Sequence, residues 1–254
     1  MSDEILKNEK RWLLEEKYGG NVLAKESSEY LSDIKKLESG YPVAYLIGNV
    51  DFLGCHIDLE SKPLIPRPET EFWVKEIIDE HKNSESLKVL DLFSGSGCIG
   101  LSILKNINNC QVDFGELKQE HVDQIDKNIS INSLDNTAYN VYQSDVLSSI
   151  PEGEYDLILT NPPYIDKTKK ETVQISVLDN EDPDALFADD QGLFFVKKII
   201  DEGFTYLKDG GKIYIEYDPW QTDLIREYLD SKGISKYKYW KDQFGKNRVV
   251  IIEK

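Results

Sequence analysis

Asn161, Pro162, Pro163 and Tyr164 stand in a row, and together they can hold a planar amine or amide. The Asn161 side chain offers an acceptor oxygen and the Pro162 carbonyl a second, so both hydrogens of a substrate –NH2 can be bound. Tyr164 adds a flat face, and the two prolines, with φ fixed near about −65° and no N–H, make the turn stiff. A nitrogen held in this way is oriented for attack on an electrophile. Taken alone, the tetrapeptide reads equally as a rigid turn, since Asn before Pro favours turn initiation. The run before it, residues 155–160, has the pattern of a buried strand, which puts the turn at a strand's carboxyl end, where open α/β sheets bind ligands.

A second cluster lies upstream. Residues 88–97 read as a strand entering a Gly-rich turn, followed by a helix. Gly95 and Gly97 lack the Cβ atoms that would keep a ligand off the backbone. Gly95, Gly97 and Gly100 match the dinucleotide spacing G-x-G-x-x-G, a weak signal alone. Asp91 points to a different ligand, because an acid four residues before Gly95 suits a cation better than a pyrophosphate. D-x-x-x-G-x-G resembles the pattern of S-adenosylmethionine enzymes. Phe93, Ser94 and Ser96 complete the turn. Glu116 ends the next strand and can accept from both ribose hydroxyls, with Asp113, inside that strand, as the competing candidate. Asp145 follows the third strand, where it can meet an adenine amino group, with Val146 beside the ring. Each acid alone also reads as a solvated strand end or a helix cap.

Composition narrows the setting. A net charge of −17 over 254 residues repels polyphosphate partners and favours a small cofactor or a protein that is basic where it docks. Three cysteines, with no C-x-x-C spacing, indicate neither a disulfide framework nor a zinc site. No apolar stretch reaches the roughly 18 residues of a bilayer span, and acids in the first four residues argue against a signal sequence. The expectation is a cytoplasmic protein that binds no metal, no membrane and no nucleic acid directly. His56, His81 and His121 fall outside the motifs and read as ordinary surface or packing residues.

Three regions follow from the patterning. Residues 1–40 predict a short helical region split at Gly19-Gly20, too small for a core of its own and expected to pack against the rest or to dock a partner. Residues 41–70 predict a β-hairpin around Gly54 and a Pro-rich connector whose prolines delay a helix until Glu69. Residues 71–254 predict the catalytic domain. Strands are expected at 88–93, 110–115, 138–143, 155–160 and 211–217, alternating with helices at 97–106, 118–132, 191–207 and 219–232. This is a doubly wound, mostly parallel α/β sheet, closed by a C-terminal hairpin that adds one antiparallel strand. The acidic stretch 166–188 is expected to be a functional loop that orders around substrate.

Over residues 40–254 the chain resembles the release factor glutamine methyltransferases, the HemK/PrmC family. The likeness lies in residues 42–48, Leu64-Ile-Pro-Arg-Pro-Glu-Thr-Glu71, Asp91 to Gly97, Asn161 to Ile165, Pro183 to Leu186 and Gly210 to Glu216. The resemblance implies a class I S-adenosylmethionine-dependent methyltransferase fold and methylation of the glutamine side-chain amide in the Gly-Gly-Gln loop of a peptide chain release factor. It implies cofactor contacts from Asp91, Phe93 to Gly97, Glu116, Asp145, Val146 and Asn161, with Asn161 to Tyr164 holding the glutamine. The chain departs from the family at Phe93, where glycine is common, and in a shorter helical N-terminal region. Asn-Pro-Pro-Tyr is shared with enzymes that methylate the adenine amino group, so N6-adenine methylation of DNA or RNA is the alternative.

Overall fold

The computed structural model describes residues 3–134 and 139–254. Its helices are α1 Asp3–Trp12, α2 Ser28–Glu38, α3 Val43–Ile47, α4 Pro68–His81, α5 Cys98–Asn106, α6 Gln119–Ile131, α7 Ile175–Asn180, α8 Pro183–Leu186, α9 Phe194–Gly203 and α10 Thr222–Ser231. Its strands are β1 Asn49–Phe52, β2 Cys55–Asp58, β3 Leu87–Leu92, β4 Cys110–Glu116, β5 Tyr139–Gln143, β6 Tyr155–Thr160, β7 Ile165–Asp166, β8 Phe187–Ala188, β9 Leu207–Glu216, β10 Tyr237–Lys241 and β11 Asn247–Glu253.

Among the described residues, seven strands form one sheet in the order β10-β11-β9-β6-β3-β4-β5. β11 is antiparallel to both neighbours, and the pairs from β9 to β5 are parallel. The chain leaves β3 toward β4 and β5, then crosses to β6 on the other side, so the switch point lies between β3 and β6. The carboxyl ends of β9, β6, β3, β4 and β5 therefore lie side by side. They deliver Glu216, Asn161, the Phe93–Gly97 turn, Glu116 and Asp145 in that spatial order.

Strand period two builds a core on each face. Val249 and Ile251 join α4, α5 and α6 on one side, while Val250 and Ile252 join α9 and α10 on the other. The β1–β2 hairpin belongs to the first face, with Phe52, Cys55 and Ile57 wholly buried. Its outer edge is covered by α6. Gln124, Asn128 and Asn132, four residues apart on one helical face, accept from the backbone N–H groups of Ser61, Asp58 and His56 at 2.9, 2.8 and 2.8 Å. Asn128 also donates to the Ser96 carbonyl at 2.9 Å, which ties the hairpin to the Gly-rich turn.

Several boundaries differ from the sequence reading. Helix α4 begins at Pro68 rather than Glu69, because the first helical position needs no N–H. The strand expected at 138–143 begins at Tyr139, residue 138 lying outside the described residues, as do Met1 and Ser2 of the N-terminal reading. Helix α9 is shorter than 191–207, because Asp190, Gln191 and Gly192 are left-handed and β9 already starts at Leu207. The stretch 166–188 is folded: β7 pairs with β8 in parallel and flanks α7 and α8. At the N-terminus, Leu13 and Leu37 pack on Leu46 of α3, and buried Asp33 accepts from Lys17 at 2.6 Å and from the Tyr18 hydroxyl at 2.8 Å.

Asp91 faces inward and does not line the hollow described below. It is wholly buried, accepts the Gly100 N–H at 2.9 Å with one oxygen, and has no partner for the other. Gly100 must be this small, because a Cβ there would lie 2.2 Å from the Phe114 ring. Burial pushes the Asp91 carboxyl up from 3.8 to about 8, with the Gly100 N–H opposing and the Glu116 charge adding. Between those values the native state keeps a proton that the unfolded chain has released, so stability falls as pH rises across that window. Asp91→Asn keeps an acceptor for Gly100 and removes the titration. The wild-type Tm is expected to decline relative to that of the variant between about pH 5 and about pH 8. Parallel Tm profiles in differential scanning calorimetry would refute this assignment.

Candidate active site

Two hollows open above the strand ends, and Asn161 lines both. The first, of about 740 Å³ including space open to solvent, lies over β3, β4 and β5 and is walled by Phe93, Gly95, Glu116, Asp145, Val146 and Pro163, among others. The second, of about 1230 Å³, lies over β6 and β9 and is walled by Pro162, Tyr164, Arg67, Glu216 and Arg248 with part of the 172–177 stretch. Leu64 of the Pro-rich connector and Ala185 of α8 also border both hollows.

The first hollow is shaped by strained backbone. Phe93 and Val146 both line it and both have left-handed φ, 56° and 54°. A bulky or β-branched residue there is uncommon, and such strain gathers at ligand sites. Phe93 thus has the backbone that glycine favours, and its ring packs edge-on against Phe195 at 5.1 Å. Glu116 accepts from Gly95 N–H at 2.9 Å, from Lys118 N–H at 3.0 Å, and lies 3.5 Å from His121 Nδ1. Burial would raise its pKa, but the bonds from His121, Lys118 and Gly95 hold it below the ordinary glutamate value. Asp145 is exposed at the rim, with Lys198 at 3.9 Å.

Other expected contacts fall behind this wall. The Ser94 hydroxyl donates to the Asp91 and Gly115 carbonyls, Ser96 is buried, and Gly97 caps α5, so with Asp91 they form the turn and do not line the hollow. Asp113, the rival to Glu116, is buried and accepts from Asn140 at 2.7 Å and from the Tyr155 hydroxyl at 2.6 Å. His121 departs from the reading of an ordinary packing residue, since it lines the hollow beside Glu116. His56 and His81 border neither hollow.

Around the second hollow, Glu216 is 1% exposed and gathers three side chains. Oε2 accepts from Thr70 Oγ1 at 2.7 Å and from Trp73 Nε1 at 2.8 Å, and Oε1 accepts from the Tyr164 hydroxyl at 3.2 Å. Thr70 in turn accepts from Asn161 Nδ2 at 3.3 Å. Thr70 and Glu216 lie in stretches that carry the family likeness, but the sequence assigns neither a role, nor Trp73; the signal for Glu216 is the one Glu116 carries, an acid closing an apolar strand. The loop itself is gripped from outside. Gln221 donates to the Tyr164 and Gln191 carbonyls at 2.9 and 2.8 Å. Gly192 has φ +81°, and a Cβ there would meet the Tyr164 carbonyl oxygen at 2.0 Å.

Ion pairs pin the folded 166–188 stretch over both hollows. Arg67 of the Pro-rich connector meets both oxygens of buried Glu181 at 2.6 Å, and Lys118, two residues after Glu116, meets Asp182. Breaking a buried pair leaves an uncompensated charge worth about 3–5 kcal/mol, less here because Arg67 is partly exposed.

Comparison with known proteins agrees with this geometry. A family model described as the methyltransferase small domain matches residues 70–196. The release factor glutamine methyltransferase of Streptococcus pneumoniae is 37% identical over 237 residues, covering 91% of this chain and 82% of that protein. The protein of the same name from Clostridium botulinum is 30% identical over 236 residues, covering 92% and 83%. Among solved structures, a methyltransferase from Pyrococcus furiosus superposes with a TM-score of 0.58 at 20% identity, covering 87% of this chain and 98% of that one, a likeness of fold. By sequence identity over most of its length, and with the methyltransferase fold, the chain belongs to the release factor glutamine methyltransferase family.

Proposed function

We propose that the protein transfers a methyl group from S-adenosylmethionine to the side-chain amide nitrogen of the glutamine in the Gly-Gly-Gln loop of a peptide chain release factor. The observation that carries this reading is that Asn161 stands at the junction of two hollows, so one side chain can touch both reactants. The first hollow fits the cofactor by its chemistry. Apolar walls from Leu64, Val146 and Phe195 suit a flat ring, and the carboxylates of Glu116 and Asp145 supply acceptors for hydroxyl and ammonium groups. Phe93, Gly95, Glu116, Asp145, Val146 and Asn161 would hold it, with Asp91, Ser94, Ser96 and Gly97 setting the turn. When bound, S-adenosylmethionine supplies an electrophilic methyl group on a sulfonium.

The protein's own task is orientation. An amide lone pair is delocalised into its carbonyl and is a poor nucleophile. Hydrogen bonds from the substrate –NH2 to the Asn161 oxygen and the Pro162 carbonyl turn that lone pair toward the first hollow, and Tyr164 packs on the amide plane. The two acceptors also favour the positive charge that grows on nitrogen as the N–C bond forms and the methyl–sulfonium bond breaks, leaving a neutral thioether. One amide proton would then leave late to water. We assign residues 1–40 to docking of the release factor, residues 41–70 to joining that region to the site, and residues 71–254 to catalysis. A cytoplasmic protein with no direct contact to nucleic acid fits this reading, and among the described residues no helix is long and apolar enough to cross a membrane.

Incubation with methyl-labelled S-adenosylmethionine should label a release factor and leave its Gln-substituted variant unlabelled. Label on DNA or RNA instead would support adenine methylation. Asn161→Ala is expected to abolish transfer while isothermal calorimetry still detects cofactor binding; wild-type turnover would sink the amide clamp. Gly192→Ala forces a Cβ into the Tyr164 carbonyl, and because a misplacement of about 1 Å can cost about 100-fold, kcat is expected to fall by about 10-fold or more. An unchanged kcat would show that the loop does not depend on that contact.

A further inference from the structure

We infer that Glu216 is a positioning residue that sets the polarity of Asn161, fixing its oxygen rather than its –NH2 group toward the junction of the two hollows. The inference rests on the function proposed above and adds a residue and a switch to it. An ionised carboxylate only accepts hydrogen bonds. Thr70 has one hydroxyl hydrogen, and it is committed to Glu216 at 2.7 Å. The Thr70 oxygen can then only accept from its other neighbour, so Asn161 must offer it Nδ2, as it does at 3.3 Å. The Asn161 oxygen is left facing away, with no protein donor among the described residues. Tyr164 is committed in the same way, its hydroxyl donating to the other Glu216 oxygen at 3.2 Å.

Reversal of the first link reverses the last. A protonated Glu216 can donate to Thr70, which frees the Thr70 hydrogen for Asn161, and Asn161 then gains by turning its oxygen inward and its –NH2 outward. Two –NH2 groups would face each other and the substrate amide would lose its acceptor. The groups that face Glu216 are Thr70 and Trp73 from α4, Tyr164 from the loop after β6, and Arg248 from β11. Arg248 favours the ionised form and is itself held by Asp242 at 3.2 Å. Against these, burial pushes the Glu216 carboxyl above the ordinary glutamate range, which brings its titration closer to neutrality. Three donors and a nearby cation keep the acceptor form; acid removes it.

The test uses the full chain, methyl-labelled S-adenosylmethionine and a release factor. Thr70→Val is expected to lower kcat by about 10-fold or more, with the cofactor Kd within about 2-fold, and Thr70→Ser is expected to restore most of the lost rate. Wild-type kcat should decline toward acid pH as Glu216 takes up a proton, and the Thr70→Val profile should lack that limb. Glu216→Gln should reproduce the Thr70→Val loss, and Thr70→Val keeps the test decisive where the Gln variant folds poorly. A Thr70→Val enzyme with wild-type kcat, a Thr70→Ser enzyme as impaired as Thr70→Val, or superimposable pH profiles would overturn the inference. Should the wild type transfer nothing to the release factor, the proposed function falls and this inference with it. Should the wild type transfer and Thr70→Val match it, the inference alone falls.

Discussion

A single buried carboxylate organises the substrate side of this molecule. Glu216 closes β9, lies beneath the Asn-Pro-Pro-Tyr loop, and accepts from Thr70, Trp73 and Tyr164. A buried charge of this kind is costly unless its lone pairs are met, and truncating any donor leaves part of that cost exposed. Helix α4, strand β9 and the loop after β6 must therefore dock in one arrangement for Glu216 to be satisfied. That arrangement is also the one that puts Asn161 at the junction of the two hollows. The requirement for polar satisfaction and the requirement for reaction geometry coincide.

The cofactor side follows a parallel design with different parts. Glu116 closes β4 as Glu216 closes β9, and it accepts from the Gly95 and Lys118 backbone and approaches His121. The two acids differ in what surrounds them. Backbone N–H groups and His121 keep Glu116 readily ionised, whereas deep burial pushes Glu216 upward. Between them, left-handed Phe93 and Val146 hold the wall of the first hollow in conformations that only the surrounding packing can impose. The 166–188 stretch closes the arrangement from above through Arg67–Glu181 and Lys118–Asp182.

What the sequence made legible and what it hid have a common physical reason. Glu116, Asp145 and Asn161 stand at or just beyond the ends of β4, β5 and β6, so the local strand pattern places them at strand ends, and the parallel sheet does the rest. The parallel, doubly wound sheet likewise follows from alternating strands and helices, whereas the order of its strands does not. Thr70 and Glu216 are 146 residues apart, and no local pattern announces that one donates to the other. Asp91 was readable as an acid near the turn, but whether its side chain faces the ligand or α5 is decided by packing of Gly100 on Phe114. Gln124, Asn128 and Asn132 look like the polar face of a surface helix until β2 is seen to use them as its missing neighbour strand. His121 reads in the sequence as an ordinary surface or packing residue because its partner Glu116 comes within reach only once α6 has folded back.

The proposed chemistry depends on one contact, that of the substrate nitrogen with Asn161. A crystal structure of the protein with S-adenosylhomocysteine and a release factor, or its Gly-Gly-Gln peptide, measures it directly. The glutamine amide nitrogen is expected within hydrogen-bond distance of the Asn161 oxygen and the Pro162 carbonyl, with Asn161 Nδ2 still on Thr70. A glutamine bound with its nitrogen away from Asn161, or an Asn161 turned to present Nδ2, would contradict it.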